Sequence, residues 1–216
     1  MLQHVWERAA RARTLQRLVV ATDDERIYTE ARRFGAVARM TRADHASGTD
    51  RVAEVAGGDA ADVIVNIQGD EPLIDPEAID TAVNGLLQSS GARMSTLKKR
   101  IQDPSELTSP NVVKVVTDLS GDAIYFSRSP IPFVRGGESA HFKHIGLYVY
   151  RRDFLLGYSA LPVGPLERAE KLEQLRALEN GYKIRVVETE YDSVGVDTPE
   201  DLARVSAFVE AKLAAK

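Results

Sequence analysis

The feature that most constrains the fold is Asp62-Val63-Ile64-Val65-Asn66-Ile67, a nearly continuous apolar run that ends in the polar turn Gln68-Gly69-Asp70-Glu71-Pro72. An unbroken run of this length, without alternation of polar and apolar residues, is the pattern of a strand buried on both faces of a parallel sheet. The flanking segments agree. Leu2, Val5, Trp6 and Ala9 recur at helical spacing and predict a helix over 2–12. Residues 18–21 form a short β-branched run; Thr22-Asp23-Asp24 then caps a helix over 25–34, which Gly35 stops. A strand at 36–40, a polar loop at 41–48 and a helix over 50–56 with Thr49 as its N-cap continue the pattern.

After the apolar run, Asp75-Pro76-Glu77 opens a helix with Ile79, Val83 and Leu86 on one face. Strands are expected at 94–98 and 112–117. An edge strand from 123 leads into an extended arm through 133, because Pro130 and Pro132 do not fit a central strand. Residues 143–150 alternate as a strand, 152–158 and 167–180 read as helices, 183–190 is the last strand, and Thr198-Pro199 starts a terminal helix. The 167–176 stretch reads as a solvated helix face over buried Leu172, Leu175 and Leu178. Repeated strand and helix alternation predicts an α/β fold, a doubly wound and mostly parallel sheet, in one domain over 1–216.

Composition narrows the function classes. A net charge of -4 gives no general pull toward nucleic acid, and no apolar run is long enough for a membrane span. The absence of cysteine removes thiolate chemistry and disulfides, which fits a cytoplasmic protein.

In open α/β sheets the ligand crevice lies beyond the carboxyl ends of the strands, so polar loops placed there are the first candidates for a ligand site. Asp70 and Glu71 offer hard oxygen ligands suited to magnesium, and Gly69 permits close backbone approach; the plain alternative is a helix-capping turn. Asp197, in Gly195-Val196-Asp197-Thr198-Pro199, follows the last strand and reads equally as a metal ligand or as an ordinary residue at a helix start. Ser47-Gly48-Thr49-Asp50-Arg51 opens a helix, where free N–H groups favour an anion or a nucleobase carbonyl. Ser127-Arg128-Ser129 and Lys143-His144 add cations able to meet a carboxylate, or else surface charges; His144 equally suits a core.

Taken in order, these segments resemble the CMP-Kdo synthetases, the 3-deoxy-manno-octulosonate cytidylyltransferases. The resemblance rests on Val20-Ala21-Thr22-Asp23-Asp24, His45-Ala46-Ser47-Gly48-Thr49-Asp50-Arg51, the 66–72 segment, Tyr125-Phe126-Ser127-Arg128-Ser129-Pro130-Ile131-Pro132, His144-Ile145-Gly146-Leu147-Tyr148, Glu170-Lys171-Leu172-Glu173-Gln174-Leu175-Arg176 and the 195–202 segment. It implies a nucleotide-diphospho-sugar transferase type of fold. It also implies transfer of a cytidylyl group from CTP to Kdo, giving CMP-Kdo for lipopolysaccharide and releasing pyrophosphate. By position, Asp70 and Asp197 would be the catalytic, Mg2+-binding pair. Gln68, Arg128, His144, Tyr148, Glu173 and Gln174 would line the sugar-acid pocket, and Ser47, Gly48, Thr49 and Arg51 would approach the nucleotide. A homodimer is implied, with the 127–133 arm in the contact.

The family pattern begins with a strand and a loop rich in Arg, Ser, Gly and Lys, whereas this sequence opens on the helix that follows them. The expectation is therefore a sheet whose first, central strand is absent, with upstream codons supplying it and the chain as written weakly active. Two other readings fit the same residues: a different sugar acid as acceptor, such as an 8-amino Kdo analogue or a sialic acid, or an inactive nucleotide-binding or dimerisation remnant.

Overall fold

The computed structural model describes residues 1–137, 139–196 and 198–214, with side chains placed as far as residue 210. Its first helix, α1 (Leu2–Ala9), buries two faces at once. Val5 and Ala9 enter the main core, while Leu2 and Trp6 pack with Ala31, Ala36 and Ala38. Those three alanines belong to the unit formed by β1 (Val20–Thr22), α2 (Glu25–Arg33) and β2 (Ala38–Met40), in which β1 and β2 pair in parallel. Asp24 caps α2 by accepting from the Arg26 N–H at 2.8 Å.

Helix α3 (Gly48–Gly57) is capped by Ser47, whose hydroxyl accepts from the Asp50 N–H at 3.2 Å. This corrects the expectation that Thr49 is the cap. Thr49 lies two residues further in, at the second helical position, and its buried side chain bonds Glu173 and Tyr150 instead.

The main sheet contains β3 (Val63–Asn66), β4 (Ala92–Arg100), β5 (Lys114–Thr117), β6 (Ala123–Ser127), β7 (Phe142–Arg151) and β8 (Lys183–Glu188). Its order is β6-β5-β7-β4-β8, with β3 on β7. β3, β4, β5 and β8 run in one direction, while β7 runs against them through the middle and β6 runs alongside β7 in sense. Four of these six strands therefore share one direction, as expected, with β7 through the middle and β6 at the edge running against them. Among the described residues no strand pairs with the free edge of β3, and β1-β2 remains a separate pair although α3 touches both β1 and β3.

Helix α4 (Pro76–Gln88) covers one face of the sheet, placing Ile79, Ala82 and Leu86 on Leu97 and Val149. Each fully enclosed Leu or Ile there contributes roughly 1.5–3 kcal/mol relative to exposure. The other face carries α6 (Arg152–Tyr158), α7 (Pro165–Glu170) and α8 (Leu175–Glu179), with Leu155, Tyr158 and Leu175 against Met94, Phe126, Tyr150 and Ile184. Two short or terminal helices complete the chain, α5 (Pro104–Thr108) and α9 (Pro199–Ala214).

The expected single helix over 167–180 is two helices. Lys171 adopts a left-handed conformation, φ 55°, and ends α7. Glu167 and Arg176 then meet at 2.6 Å as a scarcely exposed ion pair. Residues nine apart on a continuous helix would stand roughly 13 Å apart along the axis, so the pair requires the break. This also corrects the reading of 167–176 as a solvated face.

Candidate functional site

Two loops meet beyond the C-terminal ends of β3 and β8. The Val196 N–H donates to the Asp70 carbonyl at 3.0 Å, and the Tyr191 hydroxyl donates to Glu71 at 3.0 Å. Ser193 also reaches the Glu71 carboxylate. Glu71 is buried, and that burial pushes its carboxyl above the usual range against the pull of these two hydroxyls. The adjacent carboxylates thus divide. Glu71 joins the loops, while the half-exposed Asp70 carboxylate takes no hydrogen bond or ion pair from any described residue. Gln68 is exposed beside it. Asp197, the expected partner of Asp70, lies outside the described residues.

The second part of the site is built on β7. Between the pairs Ser95↔Val149 and Leu97↔Ile145, β4 advances two residues and β7 four, so residues 146–148 form a bulge. Bulges re-aim side chains beside functional sites. Here Thr96 holds the bulge in place: its hydroxyl donates to the Ile145 carbonyl at 2.9 Å and lies 2.8 Å from His144 Nε2. A hydroxyl has one hydrogen, so Nε2 must be the donor to Thr96, and the neutral ring leaves Nδ1 as an acceptor. Phe126 stands edge-on to the His144 ring at 5.0 Å and Tyr148 lies 5.4 Å away. Burial among them pushes the imidazole down to about 3.

Alternation puts His144, Gly146 and Tyr148 on one face of β7, and a Cβ added at Gly146 would meet nothing within 4 Å. The face is therefore open between the two rings. Asn66 pairs with Tyr148, which brings the 68–72 loop close to the end of this face.

The turn between α7 and α8 supplies Glu173 and Gln174. Thr49 reaches the Glu173 carboxylate and the Tyr150 hydroxyl, so α3's first turn is fastened to the site from within. Burial raises the Glu173 carboxyl, against the pull of Thr49, and burial followed by the charges of Tyr150 and Glu173 raises Tyr148. Glu173 Oε1 and Gln174 Nε2 are enclosed with no hydrogen-bond partner among the described residues. Such orphaned groups are costly and mark a place where a ligand or water completes the bonding. Arg51 turns the other way, 3.0 Å from Asp23 and donating to Thr41 Oγ1 at 2.7 Å.

Arg128 follows β6 and points its Nε–H at the Glu170 carbonyl, 2.8 Å away. Lys143, expected either to recognise a ligand carboxylate or to be a surface charge, is buried and paired with the carboxylates of Glu106 and Asp192. The structure thus gathers His144, Tyr148, Glu173, Gln174 and Thr49 into one cluster and places Asp70 and Gln68 on the neighbouring loop. Sequence reasoning did not single out Thr96, Tyr191 or Ser193; the lone signal was Gly146, since a glycine inside a strand often marks a bulge.

A sheet covered by helices on both faces, with polar loops gathered at its strand ends, is an α/β fold that binds ligands beyond its strand ends. A structure of 4-diphosphocytidyl-2C-methyl-D-erythritol synthase from Anaerococcus prevotii shares this fold at a TM-score of 0.64 and 14% identity, covering 97% of this chain and 88% of that one. A family model described as Cytidylyltransferase matches residues 1–184. A 3-deoxy-manno-octulosonate cytidylyltransferase of Solibacter usitatus is 68% identical over 99% of this chain and 85% of its own length, and one of Pelobacter propionicus is 57% identical over 94% and 85%. A structure of CMP:2-keto-3-deoxy-manno-octonic acid synthetase complexed with CTP superposes with a TM-score of 0.93 at 43% identity, covering 98% of this chain and 88% of that one. The chain belongs to the cytidylyltransferase family, and within it to the CMP-Kdo synthetases.

Proposed function

We propose that this chain transfers the cytidylyl group of CTP to the anomeric hydroxyl of Kdo, giving CMP-Kdo for lipopolysaccharide and releasing pyrophosphate. The observation that carries this reading is the open face over Gly146, bordered by His144 and Tyr148, together with the enclosed and unsatisfied Glu173 Oε1 and Gln174 Nε2. A sugar acid presents a carboxylate and several hydroxyls. Arg128 suits the carboxylate, and a neutral His144, the Tyr148 hydroxyl, Glu173 and Gln174 suit the hydroxyls. Gln68 belongs with the sugar-acid side, while the 47–51 turn borders the nucleotide side, with Ser47, Gly48 and Thr49 at its helix start and Arg51 braced behind it by Asp23 and Thr41.

The residues present fit a magnesium ion. Asp70 is a half-exposed carboxylate that no described residue occupies, and this ion binds through one or two carboxylates while keeping positions for phosphate oxygens and water. Asp70, with Asp197, would hold it, and once bound the ion supplies neutralisation of phosphate charge and a lower hydroxyl pKa. The protein's own contribution is positioning: the pocket would hold the sugar hydroxyl for in-line attack on the α-phosphorus, with pyrophosphate as the leaving group. His144 is too weak a base, at about 3, to remove the proton itself.

Further features support the rest of the reading. Phe133 is 88% exposed on the arm after β6, with Val134 and Ile124 also exposed, which suits a homodimer contact. No helix among the described residues is long and apolar enough to cross a membrane.

The test is pyrophosphate release from CTP and magnesium with Kdo, an 8-amino Kdo analogue or a sialic acid as acceptor. Kdo should be preferred, and Asp70→Asn should cut turnover by about a hundredfold or more, because a bound divalent ion contributes several kcal/mol. Release with a sialic acid alone would reassign the acceptor.

A further inference from the structure

Arg128 stands one residue beyond β6, where the ladder no longer provides partners for its main chain. Two side chains of opposite charge take over. The Arg128 N–H donates to the Glu170 carboxylate at 2.9 Å, and the Lys114 ammonium donates to the Arg128 carbonyl. Glu170 also accepts from Ser127 Oγ at 2.6 Å with its other oxygen. Lys114 is fully buried, and it donates further to the carbonyls of Ser109 at 2.9 Å and Val112 at 2.6 Å. That same loop offers its Pro110 carbonyl to Arg128 Nη1 at 2.9 Å. The guanidinium has five N–H groups, of which these contacts use two, on Nε and Nη1.

Enclosing an ammonium carries a desolvation cost that a well-packed apolar side chain would avoid. The arrangement is therefore a poor way to add stability and a good way to fix geometry. Among the described residues, the main-chain and side-chain bonds of Arg128 lead to Glu170, to Lys114, or to the loop that Lys114 holds. Glu170 also lies three residues before Glu173, so one short segment fastens the arm and carries the acidic side of the pocket.

We propose that Lys114 and Glu170 are positioning residues of the sugar-acid pocket, holding the main chain of Arg128 from both sides so that its guanidinium is aimed before the substrate carboxylate arrives. This rests on the role given to Arg128 above. A rigid cation meets a carboxylate without the entropy cost of ordering a long side chain on binding.

The experiment measures calorimetric affinity for Kdo, with CTP present and magnesium left out to prevent turnover, and separately the affinity for CTP. The variants are Glu170→Gln, Lys114→Met, Arg128→Ala and Glu170→Gln combined with Arg128→Ala. Glu170 accepts from the Arg128 N–H and from the hydroxyls of Ser127 and Tyr125, and a glutamine keeps one acceptor oxygen but removes the charge that strengthens the Arg128 bond. Glu170→Gln and Lys114→Met should each weaken Kdo about tenfold, the scale of one charge-assisted bond, with CTP affinity changed less than about twofold. In the Arg128→Ala background, Glu170→Gln should add nothing, because its effect runs through Arg128. A full additional loss in that background, an equal loss for both ligands, or unchanged Kdo affinity in Glu170→Gln overturns the proposal. If Lys114→Met does not fold, the Glu170 cycle decides alone. Unchanged Kdo affinity in Arg128→Ala would instead remove the role of Arg128 itself, and this inference with it.

Discussion

Tyr191 reaches across 120 residues of sequence to donate its hydroxyl to Glu71 at 3.0 Å. That contact makes Glu71 a fastening between two loops, and it leaves the neighbouring Asp70 as the carboxylate available to a ligand. The backbone bond from Val196 to the Asp70 carbonyl lies in the same junction.

Replacing Tyr191 by Phe keeps the ring's packing and removes one hydrogen bond to a buried carboxylate. The expected loss is about 1–2 kcal/mol by urea denaturation. Amide exchange at Val196 should quicken by more than this global change explains, because the loop junction opens locally. Protection at Val196 that follows global stability alone would show that the loops are joined by other contacts.

Asp80 makes the corresponding junction for the N-terminal segment. Its buried carboxylate accepts from the Thr14 N–H at 2.8 Å, the Thr14 hydroxyl at 2.7 Å and the Arg13 N–H at 3.1 Å. Burial works to raise this carboxyl, yet the bonds from Thr14 and Arg13 together hold it below the usual range. A lowered carboxyl stabilises the fold above its unfolded pKa, about 4, and that contribution is lost as pH falls through the lower folded value. Asp80→Asn should cost about 2–4 kcal/mol at pH 7, and its stability should fall less steeply than the parent's below about pH 4. Parallel acid limbs for the two proteins would exclude Asp80 as the group responsible.

These junctions explain why some of the site was legible in the sequence and some was not. The run at 62–67 reads as a strand because its side chains pack into both cores, Val63 and Val65 on one face and Ile64 on the other. They are only partly buried, however, and β3 pairs antiparallel with β7, so the expected parallel, fully buried setting does not hold among the described residues. Asp70 stood out as a polar residue at that strand's end. Asp70 and Glu71 read alike as adjacent carboxylates; only the distant Tyr191 and Ser193 separate their roles. The alternation at 143–150 fits a strand of either direction, so the antiparallel course of β7 was not encoded locally. Leu172, Leu175 and Leu178 suit an unbroken helix, and the tertiary pairing of Glu167 with Arg176 overrides that pattern. Thr49 suits a cap by residue type, yet its hydroxyl is claimed by Glu173 and Tyr150 from elsewhere in the chain.

His144 gives a pH dependence of definite sign. Burial lowers its folded pKa to about 3, against about 6.5 for an unfolded histidine. Between those values the unfolded chain binds the proton and the folded chain does not, so stability falls as pH drops from about 6.5. The loss is at most about 1.4 kcal/mol for each pH unit. His144→Gln removes the titrating group while keeping an amide donor for Thr96, and should therefore lose less stability than the parent between pH 7 and 5. Equal losses in urea midpoint over that interval would mean that the ring titrates normally.

Gly146 tests the pocket's location without disturbing the groups that line it. The residue sits in the β7 bulge between His144 and Tyr148, and a side chain there would project into open space rather than into neighbouring atoms. Its backbone is outside the left-handed region that favours glycine, so a larger residue brings no conformational strain of that kind. Gly146→Val should leave the melting temperature within a few degrees of the parent, or raise it, since valine favours strands. A branched side chain on the open face occupies the volume that the sugar acid needs, and a well-packed site cannot absorb it without forcing neighbours from their rotamers. Kdo affinity should fall by at least about a hundredfold, near 3 kcal/mol, with CTP affinity little changed. Full Kdo affinity in a folded Gly146→Val protein would place the acceptor elsewhere than over β7.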